Sequence, residues 1–394
     1  MRIVLHIGLE KTGTTAAQAY WSQNFDRNQE RGVWYSKSLG RPLHTRLVVY
    51  ASRDFLGPVL ETQYGISDET SYQEFRTKTE ADLENELRLA REAGCSHFLI
   101  SHEFFHSKIR NTEDIERVAD LLKRLGESVE VLCVLRRPAD LFASTMNEFV
   151  RAKYPLEPDI INTVDPKNNY YDFADLLGNW CEQLGADNVH IISFHRAPGQ
   201  NVLNALNEYL GLDTDIPRDA GVRNESVDIR TLAIGNAVRS PRIVDNLLNP
   251  NLEFFMDELP FESKLSLGNE LTEELNRRFE ESNRKLLSLF PECLVETDLL
   301  AEVPDYDGNF EKLFELKSYS PWLTYMVERF NRQIWYERAR HALLEVQFAK
   351  AQGRPEDAAE AASRTHEFIV NAQGIGLEKV LMDLSRKLEY ELPP

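Results

Sequence analysis

The chain has 394 residues, 42% of them hydrophobic and 28% charged, which is typical of a globular protein with one large domain or two smaller ones. The formal net charge of −19 argues against nucleic acid or an anionic membrane surface as a partner, because both bind clustered lysine and arginine. The acidity favours a neutral or cationic substrate over a polyanionic one.

The start of the chain shows no signal-peptide pattern. Met1 and Arg2 lead directly into an apolar stretch that His6 and Gly8 interrupt, and no apolar run is long enough to span a bilayer. We therefore expect a cytoplasmic protein without a transmembrane segment. The four cysteines are far apart and have no histidine or cysteine neighbour at metal-ligand spacing, which predicts free thiols and no metal site.

Residues 3–15 combine an apolar strand, a turn-rich loop and the start of a helix, which is the layout of a phosphate-binding loop. Gly8 and Gly13 have the spacing of the two glycines of a P-loop. Thr15 stands where a P-loop has its magnesium-binding hydroxyl. The segment therefore predicts a site for a nucleotide phosphate.

The position of the lysine indicates which kind of nucleotide the loop would bind. Thr14 occupies the place that a nucleoside triphosphatase gives to lysine, and the lysine lies within the loop instead, at Lys11. A triphosphatase needs an ammonium group on the β and γ phosphates, whereas Lys11 would lie beside a 5′-phosphate and the bond to its leaving group. The loop therefore favours a 5′-phosphorylated nucleotide without a triphosphate.

Alternating strands and helices predict an α/β fold. A long charged helix over 69–93 precedes an apolar strand over 97–101, and a helix over 112–125 precedes an apolar strand over 129–135. Such alternation implies right-handed crossovers and a central parallel sheet. Ligands of parallel sheets bind at the carboxyl ends of the strands, so the residues that end each strand are the candidates for function.

The strand over 129–135 ends in two arginines. Arg136 precedes Pro138, a residue suited to the first turn of a helix, and Ser144 follows near the start of that helix. An arginine at a strand end and a nearby serine hydroxyl can together hold a dianionic phosphate. Arg137 is expected either to face solvent or to pair with an acid.

The run Lys11-Thr12-Gly13-Thr14-Thr15 after a buried strand resembles the 5′-phosphosulfate loop of the sulfotransferases that use PAPS, 3′-phosphoadenosine 5′-phosphosulfate. The resemblance implies a P-loop-like three-layer domain that binds PAPS, releases adenosine 3′,5′-bisphosphate and needs no metal. It further implies that these five residues hold the 5′-phosphosulfate end of PAPS.

Two later segments are also similar to that family. Its members grip the 3′-phosphate with an arginine and a serine that correspond to Arg136 and Ser144. A loop similar to the family's Asn-x-Ser segment implies further contacts to that phosphate from Arg223, Asn224 and Ser226, although an arginine directly before the asparagine departs from the family pattern. A plain helix N-cap at Ser226 is the alternative.

Sulfuryl transfer needs a cation near the bridging oxygen and a base for the acceptor hydroxyl. Lys11 fits the cation. Glu103, at the end of the strand over 97–101 and next to two phenylalanines, is the favoured base, because apolar neighbours disfavour a bare carboxylate and make it more basic. His102 and His44 are the alternatives.

The motifs of the resemblance cover about residues 2–235, and the pattern of strands and helices alone extends it to about residue 300. We therefore expect a sulfotransferase-like α/β domain over 1–300 and a helical C-terminal extension over 301–394. Helical patterns over 331–351 and 357–371 form a hairpin, and a third amphipathic helix ends near Leu392. Without a second copy at a fixed period, a repeat array is not expected. The extension is expected to pack on the core or to form a homodimer.

The expected function is transfer of a sulfuryl group from PAPS to an acceptor hydroxyl, which we expect to lie on a carbohydrate. The alternatives are a kinase-like, nucleotide-dependent phosphotransferase and a non-catalytic nucleotide-binding protein whose helical tail recruits a partner.

Overall fold

The computed structural model describes residues 1–55, 57–151, 154, 156–195, 197, 201–216, 227–238, 263–373 and 378–391. The chain divides into two compact units. The first comprises residues 1–145, 159–225 and 267–307, and the second comprises residues 146–158, 226–266 and 308–394. The predicted domain boundary near residue 300 stays a prediction, because compactness alone does not show which part folds by itself.

The first unit contains a five-stranded sheet in its described part, with the strand order β2-β3-β1-β4-β5 and every pair parallel. The strands are β1 (Arg2–His6), β2 (Val33–Tyr35), β3 (His97–Ser101), β4 (Ser128–Leu135) and β5 (Val189–Ser193). The central strand β1 is apolar in consecutive positions, as expected of a strand with helices on both faces. The predicted α/β fold with a parallel central sheet is confirmed.

The helices, in chain order, are α1 (Thr14–Gln23), α2 (Phe25–Glu30), α3 (Thr45–Ala51), α4 (Pro58–Tyr64), α5 (Glu69–Glu92), α6 (Phe104–Ser107), α7 (Thr112–Leu125), α8 (Pro138–Arg151), α9 (Phe173–Leu184), α10 (Val202–Leu210), α11 (Ile229–Ala237), α12 (Gly268–Arg278), α13 (Glu280–Leu289), α14 (Glu296–Leu299), α15 (Ser320–Ala351), α16 (Pro355–Ala372) and α17 (Glu378–Glu391). Among them, none is long and apolar enough to cross a membrane.

The strand order creates a crevice in the first unit. After β1 the chain passes to β2 on one side of the sheet, whereas after β4 it passes to β5 on the other side. Connections that leave neighbouring strands in opposite directions open a cleft at their carboxyl ends, where ligands of such sheets bind. The loop after β1 and the arginines after β4 lie at this point.

The second unit has its own apolar core in the described residues. Helices α15, α16 and α17 bury a shared cluster, which also includes Val238 just after α11. Helix α15 begins at Ser320, earlier than the predicted Asn331. The prediction missed its first half because several large apolar residues there face outward and blur the expected burial pattern. The predicted end of the last helix, near Leu392, lies just outside the described residues.

Candidate functional site

The loop between β1 and α1 has a backbone shape suited to an anion. Lys11 and Gly13 adopt left-handed conformations, with φ of 62° and 85°, and alternation between the two hands turns successive N–H groups toward one side. Helix α1 begins directly after Gly13, which has no side chain to cap it. The N–H groups of the first turn, which includes the exposed Thr15, are therefore suited to a ligand anion.

Close packing fixes the shape of this loop. A Cβ on Gly8 would lie 2.3 Å from Cγ2 of Thr14 and 2.9 Å from Cε1 of His6, so only glycine fits there. Thr12 is fully buried, and its hydroxyl donates a hydrogen bond to the carbonyl of Leu9 at 2.6 Å. The side chains of Thr12 and Thr14 therefore hold the loop together, which leaves their backbone N–H groups for a ligand.

Arg136, a predicted phosphate contact, lies against the loop between β1 and α1. Nη1 of Arg136 donates to the carbonyl oxygen of Lys11 at 2.5 Å, and the guanidinium lies 4.7 Å from the ring centre of Phe194. Nε of Arg136 is buried and has no partner among the described residues. Burial lowers the pKa of Arg136, with a smaller opposing effect from Asp140. The structure thus brings together two predicted anion-binding segments that are far apart in sequence.

The neighbouring arginine is in a different situation. Nε of Arg137 donates to Oδ2 of Asp140 at 2.5 Å, and its Nη1 donates to the carbonyl of Leu300 at 3.0 Å. Its Nη2 lies 3.2 Å from Nδ1 of His195. Of the two alternatives for Arg137, pairing with an acid is therefore the one observed, and the residue anchors the start of α8.

The remaining predicted phosphate contacts involve Ser144 and the segment that holds Arg223, Asn224 and Ser226. Ser144 lies on α8, half-buried, in the second turn after Pro138. Its contact to a phosphate stays a prediction. Arg223, Asn224 and Ser226 lie outside the described residues.

Glu103 lies directly before α6, at the carboxyl end of β3. Its Oε2 accepts a hydrogen bond at 3.0 Å from Nε2 of Gln18, which projects from α1. The Glu103 side chain is 20% exposed, so it retains access to solvent. The base candidate and helix α1 are therefore joined through one amide.

The same amide belongs to a buried polar chain that the sequence did not reveal. Nε2 of Gln18 also lies 3.1 Å from Oγ of Ser101, and that oxygen lies 2.8 Å from Nδ1 of His6. Burial lowers the pKa of His6 to about 3, which keeps its ring neutral and able to accept from Ser101. Pairing of β1 with β3 sets His6 opposite Ser101. In the sequence, this chain could have been suspected from the polar residues His6 and Ser101, each of which ends an apolar strand.

His102 has partners on both ring nitrogens. Its Nδ1 accepts from the backbone N–H of Phe104 at 3.1 Å, and its Nε2 lies 3.1 Å from Oγ1 of Thr45. Burial lowers the pKa of His102 to about 3, so the ring is neutral and forms no ion pair with Glu103, 3.8 Å away. Its role as a base stays a prediction, but this geometry favours a structural role.

His44 is also committed to the backbone. Its Nδ1 accepts from the N–H of Ser101 at 2.8 Å, and its Nε2 donates to the carbonyl of Ser36 at 3.0 Å. Burial lowers its pKa to about 3, and this dominates the opposing effect of the Ser36 carbonyl. The ring joins the last residue of β3 to the segment that follows β2. Of the three predicted bases, Glu103 is the one with a solvent-accessible proton acceptor.

The side chain of Tyr170 also contacts the loop between β1 and α1. The hydroxyl of Tyr170 donates to Oε2 of Glu10 at 2.8 Å. Burial, followed by the charge of Glu10, raises the pKa of Tyr170, so the phenol stays protonated as a donor. The residue before Lys11 is thereby fixed. No sequence signal linked Tyr170 to the loop.

Comparison with known proteins adds no family to this geometry. No family model matches the chain, and no curated protein matches it either. The functional conclusion therefore depends on the arrangement of the residues described above.

Proposed function

We propose that this protein is a PAPS-dependent sulfotransferase whose P-loop-like site lies in the crevice between β1 and β4. The observation that carries the proposal is the hydrogen bond from Nη1 of Arg136 to the carbonyl of Lys11, made while Nε of Arg136 has no partner among the described residues. An arginine that is fixed by one nitrogen, while a second, buried nitrogen has no partner among the described residues, is suited to a charge-assisted contact with a phosphate.

The loop fits the 5′ end of the same nucleotide. Gly13 leaves the first turn of α1 uncapped, and Gly8 allows the backbone to pack closely in the loop between β1 and α1. The absence of lysine at Thr14 favours a nucleotide without a triphosphate. These residues fit a nucleotide with one anionic group at its 5′ end and another near Arg136.

The residues have separate roles in the reaction. PAPS supplies the sulfuryl group, and adenosine 3′,5′-bisphosphate leaves when the sulfur–oxygen bond to the phosphate breaks. Lys11 provides positive charge beside the bridging oxygen as that oxygen becomes anionic. Glu103 accepts the acceptor's proton as the new bond from the acceptor oxygen to sulfur forms. We propose a carbohydrate hydroxyl as the acceptor.

Two other functions remain as alternatives. A kinase-like phosphotransferase would use the same loop, but position 14 lacks the lysine that would contact the β and γ phosphates. A non-catalytic nucleotide-binding protein would need no base, whereas Glu103 combines solvent access with a fixed hydrogen bond from Gln18.

Radiosulfate-labelled PAPS distinguishes these functions. The purified full chain is incubated with the labelled donor and with extracts of its own host, and labelled products are separated and identified. A sulfotransferase gives labelled acceptors, and treatment that cleaves glycans releases label from carbohydrate products. A parallel reaction with γ-labelled ATP tests for phosphotransfer. Label transfer from ATP alone, or binding of both nucleotides without any transfer, would overturn the proposal.

A further inference from the structure

One face of helix α15 exposes large apolar side chains. Large apolar side chains recur along its outer side at the helical period, with exposed fractions from 40% for Ile334 to 72% for Trp322. This outer face consists of Trp322, Met326, Phe330, Ile334, Leu344 and Phe348. The opposite side of the helix supplies Trp335, Ala339, Leu343 and Val346 to the core of the second unit. Helix α15 is therefore apolar on two sides, and the described residues cover only one of them.

The summed apolar area of the outer face, whose two ends flank the Glu337–Arg340 pair, is large for a monomer. Six large side chains exposed to this extent present roughly 700 Å² in total. The largest apolar patch of a typical monomer covers about 300–600 Å². A standard interface between two proteins takes about 800 Å² from each partner. The outer face is thus close to one half of a stable interface.

The charges on α15 indicate which partner suits this face. The helix carries five lysines and arginines against three glutamates, in a chain whose net charge is −19, and its cations are largely compensated: Arg332 pairs with Glu328 and Lys350 with Glu391 of α17. Glu337 and Arg340, in the middle of the outer side, pair with each other at 2.9 Å. Helices that lie on anionic membranes need uncompensated lysine and arginine. A neutral apolar partner fits better, and two acidic chains that meet at this helix avoid direct contact between acidic surfaces.

The spacing of four of the six residues of the outer face is self-complementary. Trp322 and Phe348 are equally far in sequence from Trp335, and Met326 and Leu344 are also equally far from it. A two-fold axis at this point, with two copies of α15 antiparallel, sets Trp322 against Phe348 of the second copy and Met326 against its Leu344. Antiparallel packing also opposes the helix dipoles favourably.

We propose that the outer face of α15 binds the same face of a second copy of this chain, so that the protein is a homodimer with an antiparallel α15 pair at its two-fold axis. Such an interface is isologous, because each contact occurs twice by symmetry. The proposal is independent of the sulfotransferase assignment, since it uses only residues of the second unit.

Charge substitutions at the two ends of the helix test the register. Trp322→Glu and Phe348→Lys should each raise the dimer dissociation constant at least tenfold, because each inserts a charge into an apolar contact. The double variant should regain much of the affinity, since the new carboxylate of each copy would then face the new ammonium group of the other. Within one chain the two positions are about 39 Å apart, so they cannot pair with each other.

Sedimentation equilibrium of the full chain measures these affinities, with circular dichroism to check the helix content. The wild type should approach twice 45.4 kDa at micromolar concentration. Val59→Glu is the matched control, because Val59 is 78% exposed and lies in the first unit; it should dimerise as the wild type does. A monomeric wild type, wild-type affinity in both single variants, or no recovery in the double variant would overturn the proposal. Co-sedimentation of a monomer with lipid vesicles would indicate a membrane partner and would also overturn it.

Discussion

The carboxyl ends of β1 and β4 differ from the carboxyl end of β3 in how their polar atoms are used. At β1 and β4, Nε of Arg136 is buried without a partner among the described residues, and α1 begins without a cap. At β3, the ring nitrogens of His44 and His102 all have protein partners. A polar residue at a strand end is thus a ligand candidate only when its hydrogen-bonding capacity is not already used within the protein.

Near the carboxyl end of β3, Glu103 differs from the two histidines because its side chain is 20% exposed. Replacing Glu103 should have the largest effect on activity. Glu103→Gln keeps the size of the side chain but removes the proton acceptor, so transfer should fall by a factor of about 10²–10⁴ while nucleotide affinity is unchanged. Steady-state rates and calorimetry measure both.

The control is His102→Gln, which should lower stability more than turnover because both nitrogens of His102 hold structural contacts. A dead His102 variant beside an active Glu103 variant would exchange the two roles. If both stayed active, the base would lie elsewhere.

Lys11→Ala tests the other region of the comparison, the loop after β1. Its charge is needed most as the bridging oxygen becomes anionic, so turnover should drop about a hundredfold or more, and nucleotide affinity should drop less. Lys123→Ala, an exposed lysine on α7, serves as the control and should leave both quantities unchanged. Normal turnover at saturating nucleotide would make Lys11 a binding residue only.

His44→Gln should reveal the structural role of the β3 end through the pH dependence of stability. The folded pKa of His44 is about 3, below the unfolded value of 6.5, so the unfolded chain binds more protons as pH falls. Stability is therefore fully present above pH 6.5 and decreases toward pH 3, by about 1.4 kcal/mol per pH unit for one such histidine.

Urea unfolding between about pH 7 and pH 4.5 measures this slope. His44→Gln should be less stable at neutral pH by about 2–3 kcal/mol, because two buried hydrogen bonds are lost, and its stability should fall less steeply with acid. His341→Gln, whose side chain is 77% exposed, should match the wild type. An unchanged slope in the His44 variant would show that His44 is not buried as a neutral ring.

The smallest effect is expected for Gln18. Gln18→Leu removes the hydrogen bond to Glu103 at similar volume, so turnover should fall about tenfold through misplacement of the carboxylate, with little change in nucleotide affinity. Gln23→Leu, on the exposed side of the same helix, should have no effect. Equal losses in the two variants would indicate a general effect on α1 and no positioning role for Gln18.

The sequence predicted those parts of the molecule that local patterns determine. Helix α7 and strand β3 have the predicted bounds because apolar residues recur there at the helical and strand periods. The first half of α15 escaped prediction because its exposed apolar residues do not mark a buried face. Local periodicity reports burial, and it fails where a helix is apolar on an uncovered side.

The partners of polar atoms could not be predicted in the same way. Arg136 and Arg137 are adjacent and identical in type, yet one reaches Lys11 and the other pairs with Asp140. Gln18 meets Glu103 across 85 positions of sequence, through the pairing of β1 with β3. Such contacts depend on the register of the sheet, which no short segment of the chain specifies.

The central claim is that Arg136 binds the second anionic group of the nucleotide, and a calorimetric cycle tests it most directly. The wild type should bind adenosine 3′,5′-bisphosphate more tightly than adenosine 5′-monophosphate or ATP, by about 1.5–3 kcal/mol for the charge-assisted contact, with or without magnesium. Arg136→Gln should remove most of that preference, while Arg124→Gln, an exposed arginine on α7, should retain it. Three results would contradict the account: preference for ATP, equal affinity for adenosine 3′,5′-bisphosphate and adenosine 5′-monophosphate, or an equal loss of affinity for these two nucleotides in Arg136→Gln.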